Sequence, residues 1–127
     1  MNPPSTPPET RASIGAAAET AAELWLQKQG LTTIARNWRC KLGEIDRVML
    51  DGKTLVFVEV RCRSRTDFGG AAASITRTKQ HRLQHTAELF LLQHPQFQRH
   101  ACRFDVMLAT AAQTQHWQWL RDAIANH

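Results

Sequence analysis

The chain has 127 residues, and 43% of them are hydrophobic, which is ordinary for one globular domain large enough to bury a core. There are 16 Lys and Arg against 11 Asp and Glu, and the net charge of +5 at pH 7 favours a polyanionic partner such as nucleic acid. No apolar run is long enough to span a bilayer and no secretory signal is visible, so we expect a cytoplasmic protein without a membrane partner. The 3 cysteines lack CxxC spacing, which argues against a zinc site.

The N-terminal segment differs in composition from the rest of the chain. Residues 1–12 hold 4 of the 5 prolines and are predicted to be disordered, ahead of a single domain over residues 13–127. A first helix is predicted over residues 13–29, because apolar residues recur there with helical spacing. Gly30 is a favourable C-terminal cap for that helix.

Five segments rich in β-branched and aromatic residues predict strands, over residues 31–41, 44–50, 54–60, 103–109 and 116–120. A loop is predicted over residues 64–70, and a second helix over residues 73–93, which Pro95 ends. The resulting order αβββαββ predicts an α/β domain with a mixed central sheet flanked by helices. Asp105, in the fourth strand, is predicted to be a structural hydrogen-bonding residue rather than a metal ligand.

Two glutamates on the first helix differ in their expected exposure. Glu19 falls at the edge of the apolar stripe, whereas Glu23 points further into solvent. A helical carboxylate at the edge of the stripe can reach a cleft without being buried, although an ordinary solvated glutamate has the same pattern. Glu19 is therefore a candidate site residue with an open alternative.

Asp51-Gly52, between the second and third predicted strands, is a strong signal for a two-residue hairpin turn. With that turn, Asp46 faces Phe57, and Asp46 and Glu59 are diagonal neighbours about 7–8 Å apart at the backbone. The alternation of side chains places seven residues on one face of the hairpin: Glu44, Asp46, Val48, Leu55, Phe57, Glu59 and Arg61. Three acids and one cation are thus predicted to converge on one patch.

Two interpretations of this acidic patch compete. In the first it is a salt-bridged cluster, with Arg61 neutralising Glu59 and either Arg47 or Arg63 neutralising the other acids. However, three acids oppose a single arginine on that face, and carboxylates that are buried together need further positive charge. A divalent cation provides that charge, and oxygen ligands suit Mg²⁺ or Mn²⁺ better than Zn²⁺. We therefore favour a metal site.

The excess of basic residues is local. Between Arg36 and Arg82 there are 11 Lys and Arg against 5 Asp and Glu, so this segment accounts for the whole positive charge of the chain. Basic residues on both sides of an acidic patch are what binding of a phosphate backbone around a metal requires. The candidate nucleic-acid-binding residues are Arg39, Arg63, Arg77 and Lys79.

Five sequence features occur in a characteristic order: Glu19, GEID (Gly43 to Asp46), FVEVRCR (Phe57 to Arg63), GGAAASITRTKQ (Gly69 to Gln80) and CRFDV (Cys102 to Val106). Together they resemble the uncharacterised bacterial YraN family, which is grouped with the PD-(D/E)xK nucleases and is similar to archaeal Holliday junction resolvases. The resemblance implies a restriction-endonuclease-like core and a metal-dependent endonuclease acting on DNA, including branched DNA. It also implies a homodimer.

The same resemblance implies residue roles. Asp46 and Glu59 match the two strand acids of the PD-(D/E)xK pattern and Glu19 matches a preceding helical acid, so these three would hold the metal. Arg61 stands where the pattern has a lysine. Arginine keeps its proton in essentially all protein sites, so Arg61 can stabilise developing charge but is a poor general base. Either the metal suffices, or Lys79 stands in for the lysine, or catalysis is lost.

Three functions consequently remain open on the sequence alone. The leading hypothesis is a metal-dependent endonuclease, and its main alternative is a non-catalytic nucleic-acid-binding protein on the same scaffold. A protein-interaction adaptor that uses the basic face and the tryptophans is a third hypothesis.

Overall fold

The computed structural model describes residues 11–63, 75–110 and 116–124. Within these residues the chain forms two α-helices, five strands and one short 3₁₀ turn. In chain order they are α1 (Arg11–Lys28), β1 (Thr32–Cys40), β2 (Gly43–Asp51), β3 (Thr54–Arg63), α2 (Arg77–Gln93), the 3₁₀ turn (Pro95–Phe97), β4 (Ala101–Thr110) and β5 (Gln118–Leu120). The predicted order αβββαββ is confirmed.

The five strands form one mixed sheet in the order β1-β2-β3-β4-β5. β3 and β4 are parallel, whereas the other neighbouring pairs are antiparallel. A parallel pair needs a crossover connection, which contains α2. The two helices cover opposite faces, because Val56 and Val58 pack with α1 while the alternate residues Leu55 and Phe57 pack with α2. The predicted mixed sheet flanked by helices is therefore confirmed.

Two sequence predictions fall partly or wholly outside the described residues. Of the segment 1–12 that was expected to be disordered, residues 1–10 are not described, and α1 begins at Arg11, two residues earlier than predicted. The predicted loop over residues 64–70 is also not described.

The second helix begins later than the predicted position 73. Its first residue is Arg77, because the side chain of Thr76 accepts a hydrogen bond from the backbone N–H of Lys79 and caps the helix. Lys79 consequently lies in the first turn of α2, close to the sheet.

The hairpin of β2 and β3 has a different register from the predicted one. Its turn is formed by Gly52 and Lys53, one residue later than expected, so Phe57 faces Val48 and its predicted pairing with Asp46 is wrong. Gly52 has a φ of 62°, as a two-residue turn with glycine in the first position requires. Because the pairing moves by two positions, the paired residues of the two strands keep the faces that were predicted for them.

Glu23 is buried, so its predicted exposure to solvent is wrong. Its side chain is 4% exposed and accepts hydrogen bonds from Arg47 Nε at 2.6 Å, Arg36 Nη2 at 2.7 Å and Thr33 Oγ1 at 2.7 Å. Burial opposes ionisation, but the hydrogen bonds outweigh it and lower the pKa of Glu23 to about 2. Helical spacing could not reveal this, because the buried cation Arg47 comes from β2.

Asp105 is a fully buried hydrogen-bond acceptor, as predicted. Its carboxylate accepts from Arg103 Nε at 3.0 Å, from Trp119 Nε1 at 2.8 Å and from the backbone N–H of Asp122 at 2.9 Å. These bonds attach β5 and the following turn to β4, and they satisfy a charge that would otherwise be costly to bury.

The buried pair of Glu23 and Arg47 yields a stability prediction. Glu23→Leu leaves the guanidinium of Arg47, itself 4% exposed, without its closest partner, and is expected to lower the free energy of unfolding by about 3–5 kcal/mol. The double variant Glu23→Leu/Arg47→Met removes both charges and is expected to recover most of that loss. Urea unfolding measures both variants. A double variant no more stable than the single one would contradict the interpretation.

Candidate metal centre

The sheet opens between β2 and β3 near the start of β2. The last paired residues there are Arg47 and Val58, so Asp46 and Glu59 occupy the next position on each strand. Instead of a backbone ladder, Oδ2 of Asp46 accepts a hydrogen bond from the backbone N–H of Val60 at 2.8 Å. The Asp46 side chain takes the place of a backbone acceptor, and the two strands separate around it.

β1 is kinked beside this opening. Asn37 lies opposite Asp46 in the β1–β2 register and has a φ of 48°, in the left-handed region. Side-chain alternation on β2 breaks at the same place: Arg47 contacts α1, whereas Ile45, two residues earlier, packs in the core beneath α2. Residues from both sides of the sheet consequently reach this end of β2.

Four carboxylates gather at the opening. Glu19 from α1 and Glu44 and Asp46 from β2 have carboxylate oxygens within 4.8 Å of one another. Glu59 joins them from β3, where it lines a cavity of about 450 Å³ together with Glu44 and Asp46. The opposite wall of the cavity belongs to α2. The structure therefore brings together the acids that were singled out in the sequence.

Glu59 has two basic neighbours. Lys79 Nζ lies 3.5 Å from Glu59 Oε1, and Arg61 Nε lies 3.7 Å from the same oxygen. Within the described part of the chain, Arg61 Nε is buried and makes no hydrogen bond. A buried donor without an acceptor is unusual, and here it lies beside Glu59, a residue that lines the cavity.

The other acids are neutralised unequally. Glu44 pairs with the exposed Arg39 at 3.2 Å, and Glu19 pairs with the buried Arg47 at 3.4 Å. Asp46 forms no ion pair with any residue that the structure describes. The salt-bridged interpretation thus holds for part of the cluster but leaves Asp46 without a counter-charge.

Uncompensated burial changes the acid chemistry of the centre. Burial raises the pKa of Asp46 from 3.8 to about 8; the negative charges of Glu59, Glu19 and Glu44 add to the rise, while the hydrogen bond from Val60 opposes it. Burial also raises the pKa of Glu59, although its two basic neighbours oppose the rise. Asp46 is therefore largely protonated at neutral pH unless further positive charge joins it. A group of carboxylates that lacks positive charge in this way is suited to bind a hard divalent cation.

The predicted nucleic-acid-binding residues lie around this opening to different degrees. Arg39 and Lys79 contact its acids, whereas Arg77 is exposed at the start of α2 and does not line the cavity. The side chain of Arg63 is outside the described residues. Arg82, which was not among the candidates, lines the cavity. The binding roles of these residues remain predictions.

Sequence reasoning missed Asn37, whose side chain hydrogen-bonds to both Glu19 and Glu44. A signal was nevertheless available. Asparagine is depleted in strands and is one of the few residues that tolerate a left-handed φ, so an asparagine inside a predicted strand marks a possible kink.

Comparison with known proteins places the chain in a family. Residues 18–109 match the family described as "Uncharacterised protein family UPF0102". The chain belongs to the UPF0102 family. The UPF0102 protein YraN of Salmonella typhi is 52% identical over 119 residues, covering 93% of this chain and 88% of the relative. The YraN protein of Salmonella newport (strain SL254) is 51% identical over 119 residues, which again cover 93% of this chain and 88% of the relative. The resemblance to YraN proteins is therefore confirmed.

The UPF0102 match contains the whole candidate centre, because the four acids lie between Glu19 and Glu59. The description of the family assigns it no activity. None of the helices in the described residues is long and apolar enough to cross a membrane.

The raised pKa of Asp46 yields a pH prediction. Asp46 has a pKa of 3.8 in the unfolded chain and of about 8 in the folded chain, so between these pH values only the folded chain keeps its proton. The free energy of unfolding therefore falls as the pH rises through this range. Asp46→Asn removes this term and is expected to gain stability over the wild type from about pH 5 to pH 8, by at most roughly 1.4 kcal/mol per pH unit.

Denaturant unfolding in EDTA across that pH range measures the difference between the two proteins. The exposed α2 residue Glu88 offers a matched control, because Glu88→Gln should follow the wild type at every pH. If the free energies of unfolding of the wild type and Asp46→Asn varied with pH in parallel, the raised pKa of Asp46 would be contradicted.

Proposed function

We propose that the chain is a metal-dependent endonuclease that hydrolyses phosphodiester bonds in DNA on a PD-(D/E)xK-like core. The observation that carries the proposal is the meeting of Asp46 and Glu59, from adjoining strands, in one cavity where the sheet opens. Glu19 from α1 reaches the same place. Two strand acids and one helical acid around a cleft match the pattern that the resemblance to resolvase-like nucleases implies.

Asp46, Glu59 and Glu19 are the residues that would hold Mg²⁺ or Mn²⁺. When bound, such an ion offsets charge on the phosphodiester and lowers the pKa of a water molecule. The chain prepares Asp46 for this role in two ways. The backbone N–H of Val60 donates a hydrogen bond of 2.8 Å to Asp46 and orients its carboxylate. Because the pKa of Asp46 is raised, a cation that binds there displaces a proton and not a basic side chain.

Lys79 and Arg61 supply positive charge on the other side of Glu59. Both stand close enough to orient its carboxylate, and Lys79, which lines the cavity, can also stabilise negative charge on a phosphate there. A guanidinium such as that of Arg61 is a poor general base, whereas Lys79 places an amine on the wall of the cavity. We therefore assign to Lys79 the task that the PD-(D/E)xK pattern gives to a strand lysine.

The distribution of charge supports DNA as the partner. Arg82 lines the cavity and Arg39 is exposed beside Glu44, so cations flank the acids where a phosphate backbone would pass. Branched DNA is the proposed substrate and a homodimer the proposed assembly, because resolvase-like nucleases cut a four-way junction at two symmetric positions. The proposed location is the cytoplasm.

One observation favours the alternative of a non-catalytic DNA-binding protein. Arg61 occupies the lysine position of the pattern, and its buried Nε, which has no hydrogen-bond partner among the described residues, is suited to bind a phosphate oxygen rather than to move a proton. On this alternative the acids would position the arginines, and DNA binding would not require a metal.

A cleavage assay tests the proposed activity. A fluorescent four-way DNA junction is expected to be cut in Mg²⁺ or Mn²⁺. Asp46→Asn and Glu59→Gln are each expected to lower the cleavage rate by more than about 100-fold. That loss exceeds the upper limit for residues that only support a metal ligand. Glu88→Gln is the matched control and should cut at the wild-type rate. Salt-sensitive binding without cleavage, unchanged by EDTA, would instead support the DNA-binding alternative.

The assignment of Lys79 has its own test. Lys79→Met and Lys79→Arg are both expected to lower kcat by about 100-fold or more, because neither residue supplies an amine beside Glu59. Arg77→Met is the control on the same helix turn: it should raise KM and leave kcat unchanged, since Arg77 does not line the cavity. Lys79 variants that change only KM would exclude the assignment.

A further inference from the structure

Asn37 connects two of the acids that come from different elements. Its Nδ2 donates to Glu19 Oε1 at 2.7 Å and to Glu44 Oε1 at 2.8 Å, so one amide group bridges α1 and β2. Its Oδ1 accepts from Arg47 Nη1 at 3.4 Å. We infer that Asn37 is a positioning residue that preassembles the carboxylates of the candidate metal centre, an inference that rests on the proposed function.

The chemistry of the neighbours fixes the orientation of this amide. Ionised carboxylates can only accept hydrogen bonds and a guanidinium can only donate them, so Nδ2 must face Glu19 and Glu44 while Oδ1 faces Arg47. Both amide hydrogens and the carbonyl are then used. A reversed amide would place an acceptor against two carboxylates, so a single arrangement is favoured.

The bridge also overcomes a repulsion. Glu19 and Glu44 have oxygens within 4.8 Å of each other and of Asp46, a separation that two negative charges resist unless a donor lies between them. The two hydrogens of Asn37 Nδ2 supply that donor. Asn37 therefore holds Glu19 near Asp46 before any cation arrives, which lowers the cost of ordering the ligands on binding.

The backbone of Asn37 permits a test that separates this role from a structural one. Its φ of 48° suits asparagine but suits glycine better, so Asn37→Gly keeps the backbone kink and removes only the side chain. If asparagine were present only for the kink, glycine would replace it without loss. If the side chain positions the acids, glycine removes that function while keeping the backbone conformation.

Calorimetric titration with Mn²⁺ is the main measurement. Asn37→Gly is expected to remain folded and to bind Mn²⁺ about 10- to 100-fold more weakly than the wild type. In a Glu19→Gln background the same substitution is expected to cost about 2-fold or less, because the carboxylate that Asn37 positions is gone. Wild-type affinity in Asn37→Gly, or losses that simply add in the double variant, would overturn the inference.

Crystal structures of the metal-free wild type and Asn37→Gly provide a second measurement that does not depend on the proposed function. The inference requires the carboxylates of Glu19 and Glu44 to move apart in the variant, and unchanged positions would overturn it. A wild type that binds no Mn²⁺ would count against the endonuclease alone. The metal-free structures would then decide the role of Asn37.

Discussion

Carboxylates that share a poorly solvated space repel one another, and the end of the sheet is organised around this constraint. The acids meet where β2 and β3 separate, on strands that are fixed by hydrophobic packing against α1 on one face and α2 on the other. Because close-packed interiors yield little, the backbone segments that carry these acids are held close together, and only the side chains have room to move. The fold therefore keeps the acids near one another, and a cation bound in the cleft would offset their charge.

Two buried carboxylates outside the candidate centre have a structural role, and their charge is balanced by hydrogen-bond donors. Glu23 and Asp105 are each surrounded by hydrogen-bond donors, including an arginine, and neither lines the candidate cavity. Among the described residues, Asp46 receives a hydrogen bond from one backbone N–H and has three acidic neighbours. Satisfied ion pairs are the usual way to bury charge, so the contrast supports the proposal that the acids around Asp46 form the functional site.

The hairpin shows why parts of the prediction survive an error. The register was wrong, yet the period of two in strands preserved the face of Asp46 and Glu59, because the pairing moved by an even number of positions. The prediction for Glu23 failed for a different reason: helical periodicity ranks residues by apolar neighbours and cannot see a cation on another strand. Asn37 was missed although an asparagine inside a predicted strand was a signal, because the period of two in strands does not show the φ of a single residue.

The sequence by itself determined the order of helices and strands, the mixed sheet, the family and the acids that share a hairpin face. These follow from local periodicity and from short motifs, which act over a few residues. Only the tertiary structure decided that β2 and β3 part at Asp46, that α1 delivers Glu19 to the same place, and that Lys79 from α2 stands over Glu59. Those contacts join residues distant in the chain, and their geometry depends on how the helices pack on the twisted sheet.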